Sequence, residues 1–403
     1  MKRRISFIHT ADLHLDSPFK GISHLPEPLF AKVRESTFKA FERLIDYAIE
    51  KKVDFVLVVG DLFDEENQSL KAQLHVRDQF QKLEDHGIEV FLSFGNHDYL
   101  KGNPYPIQYG SNVHVFPGEE VTYFPFHKEG ETLAHIYGFS YVNGQVKDNK
   151  SKAYRIENRE VPFHIATLHG SLYGSQGHDP YAPFRLEDLL QETFDYWALG
   201  HIHKREELSY EPPIIYPGNI QGRHRKETGK KGCYYVELTK QGAVCEFIPV
   251  QEVVFVDVTV DLRPCRSIGE IEGRIEKHLS AIKGEQQLVH LELQGSREQL
   301  DNLRLMDYVD QLIEVINERL LRQLPWQYIY RYRYHLLEKK RSPVDSLFVK
   351  ELKEVAQRIS LQDVLEDFYT HPLGRKVNYT FDEQELIADA LEYIQDALSE
   401  KGR

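Results

Sequence analysis

The first hundred residues alternate short apolar runs with longer amphipathic segments. Residues 5–9, 53–59 and 88–94 have the length and the Val, Ile and Phe content of buried strands. Between them, residues 32–51 and 70–86 repeat apolar positions at helical spacing. This order predicts a β-α-β-α-β segment whose strands lie parallel in one sheet.

From about residue 112 the pattern changes to short strand-like runs separated by turns. Such a series is typical of a second sheet, which we expect to be mostly antiparallel. The predicted architecture is an α/β fold, a two-sheet β-sandwich flanked by helices. The predicted strands of the second half are residues 113–116, 135–139, 162–168, 196–199, 214–216, 233–238 and 243–249.

A further unit begins near residue 251 and reads as β-α-β-α-β, which predicts a small, separate α+β domain. The tail from residue 341 is predicted to be helical, with apolar stripes at residues 361–369 and 386–398. We therefore predict three parts, residues 1–250, 251–338 and 339–403. The elements expected in the middle part are strands 253–262, 287–293 and 326–335 and helices 267–282 and 297–321.

Composition narrows the class of protein. The chain has 403 residues and a net charge of −13, which opposes non-specific coating of nucleic acid but leaves room for a local basic groove. Its three cysteines, Cys233, Cys245 and Cys265, are too few for a disulfide framework. The N-terminal residues lack the apolar core of a signal peptide, and no run reaches the length of a membrane span. We expect a cytoplasmic protein.

Five segments carry metal-binding chemistry, and each follows a strand-like run. In Asp12-x-His14 and His201-x-His203, an extended backbone would place both side chains on one side. Oxygen and imidazole ligands without thiolate favour Mn²⁺, with Fe²⁺, Mg²⁺ and Zn²⁺ as alternatives. Two such ions would clamp a phosphate and activate a water for in-line attack. The segments are Asp12-Leu13-His14, Gly60-Asp61-Leu62-Phe63-Asp64, Gly95-Asn96-His97-Asp98, Leu168-His169-Gly170 and Gly200-His201-Ile202-His203.

Each segment alone has a structural alternative, since Gly-Asp is common in turns and His-x-His can be two exposed imidazoles. The five segments in this order resemble the motifs of the calcineurin-like metallophosphoesterase superfamily. The wording HTADLHLDSPF, VLVVGDLFD, FGNHD and LGHIH is similar to that of the SbcD-type DNA-repair exonucleases and, within them, the YhaO-type bacterial proteins. The resemblance covers roughly residues 5–240, and the βαβαβ unit occupies the place of that family's capping domain.

The resemblance implies a role for each residue. His97 would protonate the leaving group or stabilise the transition state, Asp64 would orient His97, and Asp98 would shape the loop. Archaeal and eukaryotic nuclease relatives often carry histidine at the position of Asp64, whereas phosphatases of the superfamily and bacterial nuclease members carry aspartate. The implied metal ligands are Asp12, His14 and His203 for one ion, Asn96, His169 and His201 for the other, and Asp61 as a bridge.

Two basic segments are candidate substrate contacts. The segment 222–231 holds five Lys/Arg against one Glu, and Arg223, Arg225 and Lys226 could contact a phosphate backbone. The alternative is a solvated hairpin loop. Arg331 and Arg333 alternate with tyrosines in the last strand of the small domain, where they could bind DNA or protect an edge strand.

The tail has more acidic than basic residues, so its helices suit protein partners better than DNA. By resemblance they would dock on an SbcC-type coiled-coil ABC ATPase, with packing on their own domain as the alternative and a homodimer as a further one. The resulting hypotheses are a metal-dependent DNA exonuclease in DNA repair, a small-molecule phosphodiesterase or phosphatase, and a structural subunit with a vestigial site. The intact ligand set opposes the last.

Overall fold

The computed structural model describes residues 3–19, 21–64, 68–102, 107–174, 181–282, 284–296 and 303–336, with positions 348, 350–352, 354, 355, 387, 390 and 391 beyond them. The predicted stripe 361–369 lies outside the described residues, as does 386–398 except for three helical positions. The described residues form two compact units. The first lies within Met1–Pro18, Ala31–Val256 and Glu285–Gln287, and the second within Phe19–Phe30, Asp257–Gly284 and Leu288–Arg403.

The first unit contains two sheets. Its strands, in chain order, are β1 (Arg4–Thr10), β2 (Phe55–Val59), β3 (Glu89–Ser93), β4 (Val113–Val115), β5 (Thr122–Lys128), β6 (Glu131–Gly138), β7 (Phe163–His169), β8 (Tyr196–Gly200), β9 (Glu206–Tyr210), β10 (Pro213–Tyr216), β11 (Gly232–Thr239) and β12 (Gly242–Pro249). Within the described ranges, one six-stranded sheet has the order β12-β11-β1-β2-β3-β4 and the other the order β5-β6-β7-β8-β10-β9. The predicted two-sheet α/β architecture is confirmed.

The direction predicted for the second sheet is wrong. Its central pairs β6–β7, β7–β8 and β8–β10 are parallel, and antiparallel pairing is confined to its edge pairs β5–β6 and β10–β9. The short strands resemble hairpin strands in sequence, but residues 139–162 and 170–195 connect them. Both connections exceed the dozen or so residues that a parallel crossover requires. The segment 233–238 pairs with β1, and the segment 243–249 pairs with β11, so both belong to the first sheet instead.

The helices of the first unit explain its apolar runs. The predicted helix 32–51 is in fact two helices, α1 (Glu27–Arg34), whose residues 27–30 belong to the second unit, and α2 (Ser36–Lys51). The Ser36 hydroxyl donates to the Val33 carbonyl where the helices meet. With α3 (Leu70–Asp85), α2 covers one face of the first sheet. The other face packs against the second sheet, so β2 is buried on both sides. A 3-10 helix (Lys150–Ala153) and α4 (Leu186–Leu189) lie in the long connections.

The second unit has the βαβαβ order expected from the sequence. Its elements are β13 (Val253–Asp261), α5 (Ile268–Ala281), β14 (Gln286–Gly295), α6 (Leu305–Leu321) and β15 (Gln327–Leu336), although residues 253–256 of β13 and 286–287 of β14 fall in the first unit. The three strands form one sheet in chain order, and Ser267 caps α5 by accepting from the Glu270 N–H at 3.2 Å. None of the helices in the described part of the chain has the length and apolar character of a membrane span.

Candidate metal centre

The five sequence segments meet at one edge of both sheets. Those containing Asp12, Asp61 and Asn96 follow β1, β2 and β3 of the first sheet. His169 is the last residue of β7, and His201 follows β8 in the second sheet. Because β1 to β3 run parallel, as do β7 and β8, their carboxyl ends collect at one edge of each sheet. The site is thus built where ligands from two sheets converge.

Two groups of ligand atoms lie side by side. Donor atoms of Asp12, His14 and His203 lie within 4.8 Å of one another, and so do those of Asp61, His169 and His201. The His14 Nε2 and His203 Nε2 atoms are 3.1 Å apart. Asp61 lies between the groups, since its Oδ2 is 3.4 Å from His169 Nε2 and 3.7 Å from His14 Nε2.

Asn96 belongs to the second group. Its Oδ1 atom lies 3.0 Å from His169 Nε2 and 3.1 Å from His201 Nδ1. An amide oxygen can bind a metal ion but carries no charge. This group is therefore less negatively charged than one built from carboxylates alone. All seven residues predicted as ligands are therefore brought together.

The ligand residues have an unusual backbone. Asp12, His14 and Asp61 adopt left-handed conformations, with φ of 52°, 43° and 52°, and His201 has φ of 98°. The extended backbone assumed for Asp12-x-His14 is therefore wrong, and the chain instead turns sharply after β1. Non-glycine residues at positive φ cost free energy and persist where the surrounding structure holds them, typically at functional sites.

Two glycines allow the segments to approach so closely. A Cβ added at Gly60 would lie 2.2 Å from His169 Nδ1, and one at Gly95 would lie 2.2 Å from Asp61 Oδ1. Gly60 also has φ of 77°. The glycines of the Gly-Asp and Gly-Asn-His-Asp segments are thus required by the packing of the ligands themselves.

Asp98 holds two of these segments in place. Its carboxylate accepts hydrogen bonds from the backbone N–H groups of Leu62 at 2.6 Å and Gly95 at 2.7 Å, with longer bonds from Asp61 and Phe63 at 3.3 Å. Burial, reinforced by the neighbouring charge of Asp61, raises the pKa of Asp98 to about 7. The loop-shaping role expected for Asp98 agrees with these contacts.

The orientation of the histidines suits a bound cation. The Nδ1 atom of His169 lies 3.0 Å from the Val59 carbonyl oxygen, and Nδ1 of His203 lies 2.6 Å from Glu227 Oε1. Both outer nitrogens face acceptors and donate a hydrogen to them, so the neutral form of each ring has its lone pair on Nε2, which faces the centre. The donor set therefore fits divalent metal ions.

The charges within the site are strongly coupled. Burial opposes ionisation of Asp61, but His169, His14 and His97 outweigh it and hold the pKa of Asp61 well below its usual range. For His169, burial favours the neutral ring, yet Asp61 and Asp12 raise its pKa to about 9. Buried carboxylates at this density require cationic partners.

His97 lies beside the two groups. Its Nδ1 is 3.6 Å from Asp64 Oδ1, and its side chain keeps 40% of its surface exposed. Burial lowers the pKa of His97, but Asp64 and Asp61 outweigh burial and raise that pKa to about 9. Donor atoms of His14, Asp64 and His97 also lie within 4.8 Å of one another. An imidazole with a carboxylate partner and access to solvent can transfer a proton.

The basic loop after β10 is only partly available to a ligand. The Arg223 side chain is 13% exposed, and its Nη1 donates to Asp64 Oδ2 at 3.0 Å and to Ser17 Oγ at 2.9 Å. Lys231 is buried, and its Nζ donates to the His203 carbonyl at 3.1 Å. Lys226 is exposed and Arg225 is half-buried. Arg331 and Arg333 lie on β15 of the second unit.

Ser17 and Glu227 contact predicted site residues although sequence reasoning did not single them out. The Ser17 hydroxyl donates to Asp64 Oδ2 at 2.8 Å, and Glu227 contacts His203. Glu227 is the single acid within the basic segment 222–231, which was the available signal. Ser17 had none, because a serine beside a proline is common in loops.

Comparison with known proteins is consistent with this site. The family model for calcineurin-like phosphoesterases matches residues 5–205. Over 387 residues the chain is 42% identical to the uncharacterized metallophosphoesterase YhaO of Bacillus subtilis (strain 168), covering 95% of this chain and 94% of that protein. The chain belongs to the calcineurin-like phosphoesterase family, and its two-sheet fold is the fold of that family.

More distant similarity extends to proteins named for DNA repair. The chain is 33% identical over 203 residues to the DNA double-strand break repair protein Mre11 of Thermoplasma acidophilum, covering 48% of this chain and 53% of that protein. It is 24% identical over 320 residues to Mre11 of Sulfolobus acidocaldarius, covering 72% and 75% respectively.

Proposed function

We propose that this protein hydrolyses phosphodiester bonds with two divalent ions, and that it acts on DNA as an exonuclease in DNA repair. The observation that carries the proposal is the position of Asp61 between two groups of ligand atoms, with His97 and Asp64 beside them. One shared carboxylate is the arrangement expected of a two-metal site.

One ion would be held by Asp12, His14 and His203, the other by Asn96, His169 and His201, and Asp61 would contact both. We expect Mn²⁺, with Fe²⁺, Mg²⁺ or Zn²⁺ as alternatives, because the donors are carboxylate, amide and imidazole. When bound, such ions neutralise phosphate charge and lower the pKa of coordinated water.

The remaining residues would manage the proton and the substrate. His97 would hold a proton and donate it to the leaving oxygen, and Asp64 would orient the His97 ring, since its Oδ1 faces His97 Nδ1 at 3.6 Å. Arg223 fixes Asp64 in turn, because its guanidinium lies 3.0 Å from that carboxylate. The left-handed backbone at Asp12 and Asp61 keeps both carboxylates aimed into the centre.

DNA is proposed as the substrate because two relatives of partial sequence similarity, the Mre11 proteins, are named for DNA double-strand break repair. Arg225 and Lys226 would contact phosphates beside the site, and Arg331 and Arg333 on β15 are further candidate DNA contacts. We further propose that residues 251–338 act as a capping domain. The helices predicted in residues 339–403, outside the described residues apart from a few positions, would bind an SbcC-type ABC ATPase.

The test is a substrate comparison with the purified full-length protein and Mn²⁺. We expect release of nucleotides from linear duplex DNA, and none after Asp61→Asn. Hydrolysis of bis(p-nitrophenyl) phosphate or a phosphomonoester with intact DNA would instead favour the small-molecule enzyme. Absence of hydrolysis of every phosphoester would refute the catalytic proposal as a whole.

A further inference from the structure

Glu227 is a buried acid in contact with a proposed metal ligand. It lies between β10 and β11, its side chain is 6% exposed, and its Oε1 is 2.6 Å from His203 Nδ1. Its other oxygen, Oε2, accepts from the Arg223 backbone N–H at 2.7 Å and from Asn219 Nδ2 at 2.9 Å. Both carboxylate oxygens are therefore fixed by named donors.

The contact determines how His203 can act. The His203 Nδ1–H donates to the Glu227 carboxylate, so the lone pair of the neutral ring is at Nε2, which faces His14 Nε2 at 3.1 Å. A carboxylate bonded to the far side of an imidazole also restricts rotation of the ring and increases its basicity toward a metal. Lys231 donates to the His203 carbonyl and so fixes the backbone of the same residue.

The same carboxylate reaches the opposite side of the site. By holding the Arg223 backbone, Glu227 positions a guanidinium that contacts Asp64 at 3.0 Å and Ser17 at 2.9 Å. Asp64 in turn faces His97. One acid thus connects a metal ligand with the pair proposed to transfer the proton.

We propose that Glu227 is a positioning residue of the metal centre, which orients His203 toward its ion and, through Arg223, holds Asp64 against His97. This inference rests on the proposed two-metal function. The inference explains why a single acid interrupts an otherwise basic segment. Glu227 contacts His203, so the segment supports the centre as well as carrying positive charge.

The experiment is calorimetric titration of the metal-free, full-length protein with Mn²⁺, comparing wild type, Glu227→Gln, His203→Ala and Glu252→Gln. Glu252 is the matched control, because its side chain is also 6% exposed and also bonds cationic residues, Arg43 and Lys39, away from the ligands. We expect Glu227→Gln to weaken one of two Mn²⁺ sites about 10–100-fold. The site that Glu227→Gln does not weaken should be the one that His203→Ala also keeps, with the same Mn²⁺ affinity in both variants. Glu252→Gln should leave the affinities of both sites unchanged.

Visible absorption of the Co²⁺-loaded protein provides a second readout, since the spectrum should change in Glu227→Gln and stay unchanged in Glu252→Gln. The inference would be overturned if Glu227→Gln bound Mn²⁺ at both sites with the wild-type affinities. It would also be overturned if Glu227→Gln weakened the site that His203→Ala retains. If wild type binds no Mn²⁺ or other divalent ion, the proposed function itself fails. If Glu227→Gln does not fold, a crystal structure of the Mn²⁺-loaded wild type decides: His203 must bind through Nε2 with Nδ1 on Glu227. Binding through Nδ1 would contradict the inference.

Discussion

The His97 imidazole and the Asp64 carboxylate face each other beside the two ligand groups, with Nδ1 and Oδ1 3.6 Å apart. Asp64 is held on its other oxygen by Ser17 and Arg223, at 2.8 and 3.0 Å. Burial disfavours its charge, but His97, His14 and Arg223 lower the pKa of Asp64 below its usual range, so it remains a carboxylate. The pair is therefore a fixed anion and a partly exposed imidazole.

Replacing His97 by Ala should lower turnover about 10²–10⁴-fold, the usual contribution of a positioned general acid. Both metal ions should remain, which elemental analysis of the purified variant measures. His114→Ala is the control, since His114 has a carboxylate partner, Glu89 at 3.0 Å, but lies on β4 away from the centre. Loss of one ion from His97→Ala would make His97 a ligand, consistent with its proximity to His14.

Arg223 and Lys226 should differ in effect although both belong to the basic loop. Arg223→Gln removes a guanidinium that positions Asp64, so kcat should fall about 10²-fold, as for misplaced catalytic groups. Lys226→Gln removes an exposed charge and should weaken DNA binding, with a salt-dependence slope smaller by about 1. Kinetics and fluorescence-anisotropy titrations at several salt concentrations separate the two. Equal losses of DNA affinity would place Arg223 among the phosphate contacts instead.

Removal of metal should destabilise the fold, because Mn²⁺ binds a centre built around buried Asp12 and Asp61 that exists only in the folded chain. Mn²⁺ at about 100 times Kd should add about 2.7 kcal/mol per site and raise Tm by several degrees. Calorimetry of EDTA-treated protein with and without Mn²⁺ measures this shift. Asp61→Asn should show a clearly smaller shift, and an equal one would show that Mn²⁺ stabilises the protein elsewhere.

Asp98→Ala should reduce stability without removing any ligand. It leaves the buried N–H groups of Leu62 and Gly95 without their acceptor, at about 1–3 kcal/mol each. Urea unfolding of the metal-free protein measures the loss. Asp78→Ala, at an exposed position of α3, should change the free energy of unfolding by less than about 0.5 kcal/mol. A loss confined to the metal-loaded protein would contradict a role in shaping the loops.

The sequence predicted the location of the site well because ligands at the ends of parallel strands need only the strand order to converge. The first three segments follow strands whose apolar runs are continuous, so their placement could be derived. The assignment of His203 to one ion and His201 to the other depended on resemblance, and it stays a prediction that the Mn²⁺ titration tests.

Other features required three-dimensional information. The left-handed backbone at Asp12 and His14 has no local signal, since neither residue type is restricted to that conformation. The parallel pairing of β7 with β8 depends on a crossover whose sequence is irregular. The inward turn of Arg223 depends on Asp64, a residue 159 positions away. Each is decided by long-range contacts rather than by periodicity.

The ligands come from both sheets, and this has a mechanical consequence. Asp12, Asp61 and Asn96 extend from one sheet, and His169 and His201 extend from the other. The His201 backbone N–H joins them by donating to Asp12 Oδ1 at 3.0 Å. Bound ions would hold the two sheets of the sandwich together, because they would bind ligands from both. Amide hydrogen exchange along β1 and β8 should then be slower when the ions are bound. It would report metal binding even in a variant that has lost all turnover.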